Sequence, residues 1–170
     1  MFTSFASNSR RHRTKVFTAF VLAILATFTV QAAPGDLDTS FGMGGKVLTS
    51  FGIGGSTGYS VVVQSDGKIV VAGDTFIGNL DFAVARYTAE GVLDTSFGSG
   101  GKVITRIGNS TTNNTGYSVA LQSDGKILVS GYSITSNRDF ALARYTSTGE
   151  LDTTFGSGGK VTTDFGGSDE

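Results

Sequence analysis

From Tyr59 onward, short runs of apolar residues alternate with glycine-rich or polar breaks. Tyr59–Gln64 (YSVVVQ) is a β-branched run closed by Ser65-Asp66-Gly67. Asp-Gly suits the positive φ angles of a two-residue hairpin, so a tight turn is expected there, with Lys68–Gly73 (KIVVAG) as the return strand. After a polar loop, Phe82–Thr88 (FAVARYT) reads as a third strand and Gly101–Ile107 (GKVITRI) as a fourth. The pattern recurs at Tyr117–Gln122, Lys126–Gly131, Phe140–Thr146 and Gly159–Phe165, with Asp124-Gly125 at the second turn. Beyond residue 32 no window shows a 3.6-residue apolar stripe. The consecutive apolar positions of VVV and IVVA predict strands buried on both faces. In the third strand, period two places Phe82, Val84 and Arg86 on one face and Ala83, Ala85 and Tyr87 on the other. The aromatic residues, with Tyr145 in the second copy, are expected to pack between sheets, their tyrosine hydroxyls reaching a polar rim.

The strands belong to a long repeat. LDTSFGMGGKV at Leu37–Val47 returns at Leu93–Val103 and Leu151–Val161, shifts of 56 and 58 residues. Units of this kind cannot bury their apolar faces alone and must stack. Four-stranded units covered on both faces predict an all-β, β-propeller-like chain: two blades plus one extra outer strand, Gly45–Phe51. A β-solenoid is the alternative, although its coils run ~20–30 residues, and a β-sandwich would not require such faithful repetition. The expected organisation is a secretory signal at 1–32, a linker with the first LDTSFG turn and leading strand at 33–57, blade 1 at 58–107, blade 2 at 116–165 and a tail at 166–170. Since propellers close with 4–8 blades, two blades imply a fragment of a longer repeat protein, copies that join into a ring, or an open stack.

The elements L-D-T-S/T-F-G-x-G-G-K-V, Y-S-V-x-x-Q-S-D-G-K-I-x-V-x-G and D-F-A-x-A-R-Y cover nearly all of the chain from Leu37. Together they resemble the delta-60 repeat family, bacterial repeats of about this period thought to form β-propellers. The resemblance implies an exported or surface protein, commonly with more repeats than here. It brings no established activity and no catalytic residues.

Met1–Lys15 carries Arg10, Arg11, Arg13 and Lys15 without an acid, and Val16–Val30 is uncharged. With small residues before a cut at Ala32, this reads as a cleavable secretory signal. Fifteen residues fall short of the roughly 20 that a membrane-spanning helix needs. Ser9-Arg10-Arg11 hints at a twin-arginine signal, but His12 and Arg13 stand where apolar residues are expected, favouring general secretion. Export would leave nine basic residues against fourteen acidic ones, no footprint for nucleic acid and no basic amphipathic stretch for a membrane surface. The lone His12 lies in the signal, and cysteine is absent. This excludes Cys/His zinc sites, His- or Cys-ligated haem, and Ser-His-Asp or Cys-His catalysis in the exported chain. No cofactor is expected.

The repeated positions are read structurally. Asp38, Asp94 and Asp152 suit Asx-turns. They are also weak calcium candidates, each copy bringing one carboxylate and no D-x-D-x-D-G spacing. Phe41, Phe97 and Phe155 follow, then Gly42, Gly98 and Gly156. FGxGGKV superficially resembles a phosphate loop but lacks the strand-loop-helix context and the trailing Ser/Thr. Asp66, Gly67, Asp124 and Gly125 form the turns. Asp81 and Arg86, like Asp139 and Arg144, flank the third strand five residues apart and so point to opposite faces within it; they are expected to form structural pairs between blades instead. The asymmetric charges Asp74, Arg106, Arg138 and Asp164 form no obvious set. Asn109-Ser110-Thr111 and Asn113-Asn114-Thr115 match a glycosylation sequon.

These features predict a non-enzymatic exported module for interaction or scaffolding, with an unknown protein or glycan partner and possible self-association into a ring. Binding is expected where the repeats differ: Asp74–Leu80 against Tyr132–Arg138, and Gly52–Thr57 against Gly108–Thr115. The alternatives are a propeller hydrolase or lyase acting on polysaccharide or a lactone through carboxylates and a metal, and a truncated product of a longer gene.

Overall fold

The computed structural model describes residues 33–135 and 137–166. The expected signal and its cleavage site at Ala32, like the last four residues, lie outside them. Eight strands follow in order: β1 (Ser56–Val63), β2 (Ile69–Phe76), β3 (Leu80–Tyr87), β4 (Lys102–Thr105), β5 (Asn113–Leu121), β6 (Ile127–Ile134), β7 (Arg138–Tyr145) and β8 (Lys160–Thr163). They form two four-stranded antiparallel meanders, β1-β2-β3-β4 and β5-β6-β7-β8. This is the all-β, partial β-propeller architecture expected from the repeat. No helix among the described residues is long and apolar enough to cross a membrane.

The blades pack face to face. Val70, Ala72, Phe82 and Val84 of blade 1 close on Val119, Val129, Ala141, Ala143 and Tyr145 of blade 2 in one buried cluster. Each fully buried Val or Phe among them contributes about 1.5–3 kcal/mol, so the inter-blade face contributes substantially to stability. Gly116 lies in this seam, where an added Cβ would come within 3.4 Å of the Phe82 ring.

The β1–β2 and β5–β6 ladders each carry a bulge. Register passes from Gly58 to Ser60 and from Gly116 to Ser118, leaving Tyr59 and Tyr117 unpaired. A bulge re-aims its extra residue, and the two rings meet edge to face across the blades at 5.1 Å.

Three expectations need correction. The Asp-Gly turns are three-residue loops. Gln64 N bonds Lys68 O, Gly67 N bonds Gln64 O, and Gly67 alone takes positive φ (84°); Gly125 repeats this at 82°. A turn followed by one left-handed glycine matches the strand twist without forcing Asp66 or Asp124 to positive φ. Next, Gly45–Phe51 forms no strand. It makes only an isolated bridge at Gly42–Lys46, because no third strand lies beside it to supply a ladder. Last, β1 is not buried on both faces. Val61 and Val63 are 62% and 61% exposed while Val119, at the place of Val61 in the next repeat, is 9% exposed. The difference is the neighbouring blade, which covers β5 and not β1.

Candidate functional site: two rims and an open blade face

The meander puts its four connections on two rims. The β1–β2 turn and the β3–β4 loop share one, and the β2–β3 loop and the blade-to-blade link share the other. The first rim is repeated and the second varies.

On the repeated rim, Asp94 turns its Oδ1 onto the amide and hydroxyl of Ser96 at 3.1 and 2.6 Å. Its Oδ2 accepts from Arg86 Nε at 2.9 Å, with Lys68 Nζ at 3.7 Å. Lys68 also pairs with Asp66 at 3.0 Å. Blade 2 repeats the cluster: Asp152 accepts from Thr154 and Arg144, with Lys126 at 3.5 Å and joined to Asp124 at 2.9 Å. The Thr154 hydrogen bonds, helped by the Arg144 and Lys126 charges, hold the Asp152 carboxyl down at about 2. Asp94 is likewise lowered, chiefly by Ser96. Arg86 and Arg144 lie over the Phe97 and Phe155 rings at 4.6 and 4.5 Å. Asp38 accepts from Ser40 in the same way.

The structure thus separates the charge pairs drawn from sequence. Arg86 pairs with Asp94 and not with Asp81; its Nη1 also crosses to Ser147 O of blade 2 at 2.6 Å. Asp81 takes Arg106, at 2.7 Å, and Asn114 Nδ2 from blade 2, at 3.2 Å. Arg144 pairs with Asp152 and not with Asp139. The constant spacing of eight residues, Arg86 to Asp94 and Arg144 to Asp152, was the available signal. The tyrosine hydroxyls also differ from expectation: Tyr145 donates to Thr105 Oγ1 inside the protein, at 2.8 Å, rather than reaching a rim. Burial pushes its phenol well above the ordinary value.

The carboxylates of Asp94 and Asp152 are therefore engaged by arginine and hydroxyl donors, and no group of three or more His, Cys, Asp or Glu is placed for a metal among the described residues. The glycines after Phe41, Phe97 and Phe155 do close-packing work. At Gly42, Gly98 and Gly156 an added Cβ would strike the backbone at Lys46, Lys102 and Lys160.

On the variable rim the loops singled out by sequence come together. Asn79 Nδ2 donates to Ser110 O at 2.6 Å, and Leu80 N to Asn113 Oδ1 at 3.0 Å. Phe76 N bonds Gly55 O. Asp74 accepts from Thr115 at 3.0 Å. In both sequons the Asn side chain is occupied, Asn109 Oδ1 by Thr111 and Asn113 Oδ1 by Leu80.

Beside this rim, the outer face of blade 2 opens a groove of about 850 Å³ walled by Tyr117, Tyr132, Phe140, Leu142 and Phe165, with Arg138 and Asp139 at its edge. Arg138 lies 4.9 Å over the Tyr132 ring, and Phe140 meets Phe165 at 5.3 Å. Asp139 is buried, and its Oδ1 has no hydrogen-bond partner among the described residues. Sequence reasoning missed this groove, because Phe140 and Phe165 sit at positions where Phe82 and Ile107 are buried.

Residues 64–97 and 122–155 match the family model of a β-propeller domain of unknown function (DUF5122). Each match runs from the end of the first strand through the third strand and into the LDT(S/T)F turn. No curated protein and no solved structure matches the chain.

Proposed function

We propose that the chain is a non-enzymatic, exported β-propeller module of the delta-60 repeat type that binds a surface protein or glycan through its variable rim. The observation that carries this reading is the segregation of the two rims. The residues that hold the frame, Arg86 with Asp94 and Arg144 with Asp152, lie on one side. The segments that differ between repeats converge on the other, joined by Asn79–Ser110 and Leu80–Asn113. A rigid scaffold carrying variable loops is the usual arrangement of a binding surface. The basic start and uncharged run of Val16–Val30 support export.

The test is an oligosaccharide array and a panel of purified surface proteins probed with the chain and with three variants. Asn79→Ala and Thr111→Ala alter the variable rim, and Lys68→Ala alters the repeated one. Binding that falls with the rim variants and survives Lys68→Ala supports the reading. Binding insensitive to the rim variants, or turnover of any arrayed glycan, overturns it.

A further inference from the structure

We propose that the open face of blade 2 is an interaction surface for a second copy of this chain, which docks head to tail by its own blade 1. This surface is distinct from the variable rim. The interface needed is already present once inside the molecule, between blades 1 and 2.

Repeat equivalence sets the match. Phe82 is fully buried against blade 2, whereas Phe140, at the same place in the next repeat, is 66% exposed. The surface that covers Phe82 is built on Val119, Val129 and Ala141. Blade 1 offers Val61, Val71 and Ala83 at those places on its other side; Val61 is exposed there, while Ala83 lies beside the leading segment. Each end of the molecule therefore presents half of an interface that its middle contains complete. Such a contact is heterologous, and it forms rings when the rotation closes. With 4–8 blades per propeller, about two to four copies would close one.

Polar groups agree. Asp81 Oδ1 receives Asn114 Nδ2 from the following blade at 3.2 Å. The equivalent Asp139 Oδ1 is buried without a partner among the described residues, at the place where the second copy would bring Ser56. Val119 N donates to Ser60 Oγ across the internal seam at 3.2 Å. Ser118 stands ready to accept from Val61 N of the second copy in the same way. The Tyr59–Tyr117 ring contact would repeat between copies.

In the second copy, the first turn and residues 46–51 occupy part of the blade 1 face that docks. Gly42 N bonds Glu90 O, Tyr87 bonds Thr49, and Lys102 Nζ bonds Ser50 O. These reproduce the bonds that Gly98, Thr105 and Arg106 make to blade 2. The first copy's Gly156, Thr163 and Asp164 can replace them one for one. β8 keeps its ladder to β7, whereas the leading segment has none and gives way. The exchange conserves hydrogen bonds and adds the burial of Phe140 and Val61.

The experiment is sedimentation velocity on the chain and on Phe140→Asp and Val61→Asp across a concentration series, with circular dichroism melts as a folding control. Both positions are exposed, so the melts should hold; Phe140→Ser is the milder variant if one fails. The wild type should associate reversibly, and each variant should weaken association at least about 30-fold, as at an interface hot spot. Mixing the two variants should restore a one-to-one complex, because each retains one intact half. A wild type that stays monomeric overturns the proposal and leaves the face to a different occupant. Val61→Asp associating as well as wild type, or a mixture that restores nothing, overturns the head-to-tail geometry.

Discussion

The hydroxyl of Tyr87 donates to Thr49 at 2.7 Å, in the same relation that joins Tyr145 to Thr105 at 2.8 Å. Thr49 and Thr105 occupy equivalent places one repeat apart. The leading segment, although it forms no strand, thus lies where the outer strand of a preceding blade would lie.

The two tyrosines should respond unequally to loss of that hydroxyl. Tyr145 and Thr105 are both buried, so Tyr145→Phe strands a buried acceptor and should cost about 1–3 kcal/mol. Tyr87→Phe should cost less, since Thr49 is half-buried and reaches water. Urea midpoints at unchanged m-value would measure both; equal losses would contradict the burial argument.

The two arginines should also differ. Arg86 is sealed between blades and bonded to Asp94, Ser96 and Ser147. Arg86→Ala leaves Asp94 without its closest cation and should cost about 3 kcal/mol, as for a broken buried pair. Arg144 faces the open side, and Arg144→Ala should cost nearer about 1 kcal/mol. The same denaturation series decides the order.

Acid should loosen the repeated rim over a defined range. The Asp152 carboxyl is held at about 2 in the folded chain, against an ordinary value of 3.8. A lowered folded value contributes stability that is complete above the unfolded value and is lost as pH falls through the folded one. Asp94 shifts in the same direction. Melting temperature should therefore hold down to about pH 4 and fall between about pH 4 and 2. Asp152→Asn should flatten that fall. An unchanged profile in Asp152→Asn would show that other carboxylates govern it.

Two glycines separate steric closeness from backbone strain. At Gly131 an added Cβ would overlap the Thr115 carbonyl oxygen, whereas at Gly100 it would meet nothing within 4 Å although φ is +60°. Gly131→Ala should block β5–β6 pairing and abolish cooperative melting. Gly100→Ala should cost about 1–2 kcal/mol, the strain of a left-handed residue. Circular dichroism melts of the two would test this, and a cooperative Gly131→Ala would refute it.

The strand order was legible because each DGK turn and LDT(S/T)F loop punctuates the chain at fixed intervals, and local chemistry sets a meander. The turn length was not. Asp-Gly satisfies both the two-residue and the three-residue hairpin, and strand twist decides between them. The facing of β3 was legible from period two. The partner of Arg86 was not, since the sequence suggested Asp81 across a blade contact while the β3–β4 loop carries Asp94 back to the guanidinium. The variable rim followed from comparing repeats. The groove on blade 2 did not: Phe140 reads as core in the sequence, and only the missing neighbour exposes it.

The bonds that Gly98, Thr105 and Arg106 make to blade 2 recur 56 positions earlier at Gly42, Thr49 and Ser50. A duplicated unit would therefore arrive with its docking contacts already written on both sides. In such a gene, blade number can change by a single in-frame recombination event, leaving only the variable rim to be refitted.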